Sequence, residues 1–253
     1  MAENTARPLI VCGFGRSGTR MCANILANSN DVELQGEIPP ALADQTFSFL
    51  INTKRDRARP DPDRDHMLAR VVFREMAGKR SVTRNKALWF GHKTPHHERY
   101  FDSYERIFDQ PDLRARYVYC VRNPFDVWRS HRNMPWAGFR DAGSFAKAWV
   151  RSVERYRVMR AAAPDRVMLF NLDAMLRAPD QMAFLNAAML DALDLRPDSF
   201  RKPVGELENT NSSAAKLGGP PPEPPQKDRD RIARERGVKQ ALAEFFPWID
   251  PAK

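Results

Sequence analysis

Apolar residues in this chain come in short runs separated by glycine, proline and charge, and the runs alternate between two periods. Pro8 to Cys12 is a continuous apolar run of the kind a buried parallel strand shows, and Gly13 to Arg20 behind it reads as a turn. Met21 to Asn28 carries Met21, Ile25 and Leu26 on one helical face. Val32 to Leu34 predicts a second short strand, with Gln35-Gly36-Glu37 at its C-terminal end before Pro39-Pro40 interrupts the backbone pattern. Leu42 to Ile51 predicts a helix, the proline-punctuated and charged stretch Asn52 to Asp65 a surface loop, and Met67 to Met76 a further helix.

The second half repeats the pattern. Ala87 to Gly91 is a short apolar run ending in His92-Lys93-Thr94-Pro95, and Tyr100 to Phe108 reads as helical. Arg116 to Val121, rich in β-branched and aromatic residues, predicts a central strand that stops at Arg122-Asn123-Pro124. A helix from Phe125, a long one over Ser144 to Ala161, a strand over Val167 to Phe170 and an amphipathic helix over Ala178 to Leu193 follow. Gly218 to Pro225 should be an extended surface connection, and Asp228 to Phe246 is again helical. Strand and helix in alternation predict an α/β fold, a P-loop-like central parallel sheet flanked by helices. One domain over 1–253 is expected, with a polar tail at 1–7 and surface loops at 52–65 and 218–227.

Composition narrows the class. With 253 residues, 42% hydrophobic and 29% charged, the chain can bury one core without staples, which excludes a disulfide mini-protein and a disordered chain. No apolar run approaches the roughly 20 residues that span a bilayer, and Met1 to Arg7 lacks the pattern of a signal peptide, so a cytoplasmic protein is expected. Cys12, Cys22 and Cys120 are too scattered for a disulfide framework or zinc knuckle and read as buried thiols. The net charge of +9 is uneven: Lys54 to Lys86 holds eleven basic and five acidic residues, a patch suited to polyanions or to plain solvation.

Gly13, Gly15, Ser17, Gly18 and Thr19 between a buried strand and a helix aim backbone N–H groups at one spot, at the positive end of the helix dipole, which makes an anion site. Gly13 and Gly18 have the nucleotide-triphosphatase spacing, but Thr19-Arg20 stands where Lys-Ser or Lys-Thr is required, and the strand at Tyr117 to Val121 ends in Arg122 rather than a magnesium-holding Asp. Gly13-Phe-Gly15-Arg-Ser-Gly18 also matches a dinucleotide fingerprint, with Glu37 as the sole acid near the expected distance.

Gly15-Arg16-Ser17-Gly18-Thr19 after one strand, with Arg122-Asn123-Pro124 and Ser130 after a later one, resembles the sulfotransferases that use 3′-phosphoadenosine 5′-phosphosulfate. The likeness implies that the first loop (Gly15, Arg16, Ser17, Gly18, Thr19, Arg20) holds the 5′-phosphosulfate, and that Arg122 and Ser130 hold the 3′-phosphate. Gly91-His92-Lys93-Thr94-Pro95 and Gln35-Gly36-Glu37 are similar to stretches of the bacterial, Golgi and tyrosylprotein-type branch rather than the cytosolic aryl branch, and Asn171 to Leu176 to a further family segment in degraded form. Thr19-Arg20 replaces the common Thr-Thr, and His92 a common Glu.

In-line sulfuryl transfer needs charge stabilisation on the departing phosphate and removal of one acceptor proton. The resemblance implies Glu37 as general base, with His92 as rival, Lys93 and Arg16 as cations, and Asn211 in a late segment closing over the nucleotide. No metal is expected. His96-His97 reads as a surface turn, and the tryptophans as core or pocket wall. The acceptor, whether small molecule, carbohydrate, lipid or peptide, lies outside what the motifs encode, and nucleic acid is not the expected partner. Two rivals stand: a magnesium-dependent kinase using ATP, and a non-catalytic basic nucleotide or nucleic-acid binder working through Lys54 to Lys86.

Overall fold

The computed structural model describes residues 6–56, 59, 61–76, 87–134, 138–203, 206, 219 and 221–250. Five strands, β1 (Arg7–Gly13), β2 (Val32–Gln35), β3 (Trp89–Lys93), β4 (Arg116–Val121) and β5 (Val167–Asn171), form one parallel sheet in the order β2-β3-β1-β4-β5. β1 is the centre of the sheet, with Val11 opposite Lys93 on one side and Gly13 opposite Cys120 on the other. This register puts the C-terminal ends of β1, β3 and β4, and the loops behind them, along one edge, where an open parallel sheet binds ligands.

The strands read as unbroken apolar runs because both faces are covered. Ile10 and Cys12 of β1 join Tyr117, Tyr119 and Val121 of β4 in a core under α2 (Pro40–Arg55), α3 (Pro62–Met76), α4 (Phe101–Ile107) and α6 (Ala142–Ala162). The alternate residues Leu9, Val11, Val118 and Cys120 point the other way, onto Cys22, Ile25 and Leu26 of α1 (Thr19–Ala27). Each such aliphatic side chain, taken fully out of water, contributes roughly 1.5–3 kcal/mol. All three cysteines are buried free thiols whose burial raises the pKa of Cys12 and Cys120.

Three predicted segments differ from expectation in their bounds. Asn52 to Asp65 is helical at both ends: α2 runs on to Arg55 and α3 begins at Pro62. Proline suits a first helical turn, Asp63 and Asp65 suit its positive end, and Lys54 and Arg55 suit the negative end of α2, so what looks like loop composition is helix-end chemistry. The helix predicted over Ala178 to Leu193 starts at Gln181, and a separate short helix precedes it. α7 (Leu172–Arg177), capped by the Asn171 side chain, ends before Pro179, and α8 (Gln181–Leu185), capped by Asp180, continues through a widened turn at Asn186–Leu190. The last predicted helix also divides, into α9 (Gln226–Ala233) and α10 (Arg236–Phe245). The break lets Gly237 lie against Val150 of α6, where any Cβ would collide with the valine methyl. Among the described residues no helix is long and apolar enough to cross a membrane.

Candidate active site

β1 leaves the sheet at Gly13, whose φ of 127° lies outside the range of L side chains and whose Cβ, were there one, would run into the Cys120 carbonyl. The chain then turns through Phe14 to Gly18, with the Ser17 N–H donating to the Phe14 carbonyl at 3.1 Å, and enters α1 at Thr19. Gly18, at φ 88°, precedes the helix without contributing a side-chain cap, so the cap position has no side-chain acceptor for the first-turn amides. Within the loop the Ser17 hydroxyl is fully buried and has no protein partner. A buried hydroxyl among unfilled helix-terminal donors is the chemistry of an anion cradle.

Arg16 adopts a left-handed φ of 71°, rare for a residue with a Cβ, and this swings its guanidinium across to α5 (Pro124–Arg132), where Nε donates to Ser130 Oγ at 2.8 Å. Burial, and then the like charge of Arg122, lower the Arg16 pKa from its ordinary value. Arg122 sits just past β4, between Asp126 (3.5 Å) and Asp173 (3.6 Å), and its Nε is buried without a hydrogen-bond acceptor. Asp173 is fixed in turn by the Asn123 backbone N–H at 2.7 Å and side-chain amide at 3.1 Å, while burial raises its pKa. The glycine loop and the Arg122-to-Ser130 motif, distant in sequence, therefore form one cationic edge.

At the end of β3, Lys93 ion-pairs with Glu37, which follows β2. The lysine side chain is 4% exposed and the glutamate 56% exposed, so the cation is sheltered while the carboxylate stays open to an incoming molecule. Burial lowers the Lys93 pKa, partly offset by Glu37, and the charge of Arg20, exposed on α1, lowers it further.

His92 stands on the opposite face of β3. It is fully buried, Nδ1 is hydrogen-bonded to Thr94 Oγ1 at 2.9 Å and Nε2 to Tyr104 Oη at 2.7 Å, and burial pushes its pKa well below 6.5. It lies in the aromatic core and not beside Glu37. His97 is no surface residue either: it is buried with Nδ1 2.8 Å from Tyr104 Oη, and burial takes its pKa to about 3. His96, half exposed, packs edge-on against Phe14 and lies against Gly15. Asn211, expected over the nucleotide, lies outside the described residues, as do Trp136 and 77–86 of the basic stretch.

Residue patterns did not single out Asp173, which steadies Arg122, or Glu98, which accepts the Gly13 N–H at 3.1 Å. Asp173 lay inside a segment of noted resemblance, whereas Glu98 carries no signal in the sequence. Among the described residues no cluster of three or more His, Cys, Asp or Glu is arranged to hold a metal ion.

Comparison with known proteins bears on the family and the fold. The family model described as "Sulfotransferase family" matches residues 8–196. Among solved structures, the sulfotransferase domain of the Synechococcus PCC 7002 olefin synthase is similar at 14% identity, with 99% of this chain and 98% of that one covered and a TM-score of 0.53. A sulfotransferase from Alicyclobacillus acidocaldarius is similar at 14% identity, 95% and 96% coverage and a TM-score of 0.53. At these identities the likeness is one of fold. No curated protein sequence matches the chain.

Proposed function

The chain belongs to the sulfotransferase family, and from that premise we propose that it transfers the sulfuryl group of 3′-phosphoadenosine 5′-phosphosulfate to a hydroxyl or amine acceptor, with Glu37 as general base. The observation that carries the reading is the Arg16-to-Ser130 hydrogen bond, which spans 114 positions and joins the glycine loop to α5, the two elements that would each hold one end of the nucleotide. We read 1–253 as one catalytic domain, closer in its Glu37 and Lys93 pair to the Golgi and tyrosylprotein-type branch.

The residues present fit this nucleotide. The orphaned Ser17 hydroxyl, the loop amides and the Thr19 end of α1 suit the 5′ phosphosulfate. Arg122, whose Nε lies 3.6 Å from Asp173 and makes no hydrogen bond, and Ser130 suit the 3′-phosphate in a charge-assisted contact. When bound, the phosphosulfate supplies an activated sulfuryl group on a stable leaving phosphate.

The chain's own part is positional and electrostatic. Glu37, exposed, accepts the acceptor's proton on its carboxylate as the new S–O or S–N bond forms. Lys93 is desolvated and held by Glu37, so its ammonium is pre-aimed at negative charge developing on the bridging and sulfuryl oxygens. Arg16, locked by its backbone and by Ser130, adds a second fixed cation. Arg20, exposed on the first turn of α1, adds to the field.

Calorimetric titration with 3′-phosphoadenosine 5′-phosphate without magnesium, on the parent, Arg122→Ala and Ser130→Ala, tests the reading. Binding by the parent that is lost in both variants supports it and opens an acceptor screen with Glu37→Ala as the inactive control. A parent that ignores this nucleotide but binds ATP with magnesium favours a kinase instead.

A further inference from the structure

Directly behind the glycine loop lies a carboxyl group that the proposed chemistry does not use. Glu98 is 3% exposed. Its Oε2 accepts the Gly13 N–H at 3.1 Å and its Oε1 accepts the Ser152 hydroxyl of α6 at 2.5 Å, while Ser152 Oγ lies 3.0 Å from the Tyr119 hydroxyl of β4. Arg155 Nε, also on α6, donates to the Glu98 carbonyl at 3.2 Å.

The segment that carries Glu98 grips the end of β1 at three points. Thr94 N–H donates to the Val11 carbonyl at 3.0 Å and His96 N–H to the Gly13 carbonyl at 2.9 Å, so that both peptide groups of Gly13 are claimed by Thr94 to Glu98. His96 holds a left-handed φ of 65° to do this, a conformation that persists only where the surroundings over-determine it. The same segment begins one residue after Lys93. A buried carboxyl beneath an anion site costs desolvation and opposes the ligand's charge, so its presence calls for a compensating role. Hydrogen bonds from Gly13 and Ser152 offset part of the burial that raises its pKa.

We propose that Glu98 is a positioning residue: it fixes Gly13, and so the aim of the loop amides relative to Lys93, by tying the start of the loop to α6 and β4. The inference rests on the reading of the loop as the site of the phosphosulfate. Preorganised donors work only when their supports are locked, and a displacement of about 1 Å can lower function by about 100-fold.

Calorimetry with 3′-phosphoadenosine 5′-phosphate on the full chain tests this without knowledge of the acceptor. Glu98→Ala should weaken binding about 10- to 100-fold. Glu98→Gln should stay within about threefold of the parent, because its amide oxygen accepts from Gly13 and its amide nitrogen reaches Ser152. Ser152→Ala should give a smaller loss in the same direction, and carries the test if Glu98→Ala fails to fold. Glu105→Gln, at the opposite end of β4 where Glu105 accepts from Tyr117 and Arg166, should lower the thermal midpoint and leave affinity unchanged. Parent-like affinity in Glu98→Ala or in Ser152→Ala, or a Glu98→Gln as weak as Glu98→Ala, overturns the positioning role alone. A parent that does not bind the nucleotide overturns the proposed function and this inference with it.

Discussion

Arg16 Nε donates to Ser130 Oγ at 2.8 Å, so the backbone strain at Arg16 and the placement of α5 are coupled across the mouth of the sheet. Arg16→Ala and Ser130→Ala should each weaken binding of 3′-phosphoadenosine 5′-phosphate by about tenfold or more, as expected for a charge-assisted contact of about 1.5–3 kcal/mol. The double variant should lose less than the sum, because the two side chains share one hydrogen bond. Additive losses in a calorimetric double-mutant cycle would show that they act separately.

Glu37→Gln keeps the shape of the side chain that faces Lys93 and removes its basicity. Turnover with an acceptor found by screening should fall about 10²- to 10⁴-fold while nucleotide affinity stays near that of the parent. Full turnover in this variant would remove Glu37 from the chemistry.

Asp173→Ala strips the Asn123 backbone N–H of its buried acceptor. Stability in urea should drop by about 1–3 kcal/mol, the cost of an unsatisfied buried donor. Asp173→Asn, which retains an acceptor, should lose less, and equal losses would point to the Arg122 ion pair instead.

All five histidines, His66, His92, His96, His97 and His131, have pKa values lowered first by burial, His96 to about 4 and His97 to about 3. A histidine depressed in the fold is neutral there while the unfolded chain takes up a proton below about 6.5, so its contribution is complete above that pH and is lost as pH falls toward the folded value. Glu98 and Asp173, raised by burial, act in the opposite sense and relieve the fold when they protonate. The thermal midpoint should therefore decline from about pH 6.5 downward, with a shallower slope in His97→Gln than in the parent. A flat midpoint between pH 7 and pH 5 would contradict the neutral histidine core.

Gly13→Ala adds a Cβ at φ 127°, facing the Cys120 carbonyl. The variant should be destabilised by about 1–3 kcal/mol from backbone strain alone and should lose nucleotide binding, since the loop must move to admit the methyl group. Unchanged melting and binding would show that the loop tolerates another path.

The sequence determined the sheet and both halves of the candidate nucleotide site. Runs such as Pro8 to Cys12 and Arg116 to Val121 have the lengths and residue types expected of buried parallel strands, and Gly13 to Thr19 and Arg122 to Ser130 are local patterns that resemble those of the sulfotransferase family. Helix ends were harder to read. Pro62 and the charges of Lys54, Arg55, Asp63 and Asp65 serve helix termini, the start of α8 depends on the Asp180 cap, and the division before Arg236 goes with the close approach of Gly237 to Val150.

Only the tertiary structure decided which neighbours share a face and which distant residues meet. His92 and Lys93 are adjacent in sequence, yet strand alternation sends one into the aromatic core and the other toward Glu37. Glu98 and Asp173 became functional candidates through contacts made 85 and 50 residues away, with Gly13 and Asn123. Hydrogen bonds over such separations leave no periodicity or motif in the chain, because it is the stacking of strands and helices, not the order of residues, that brings the partners within 3 Å or so of each other.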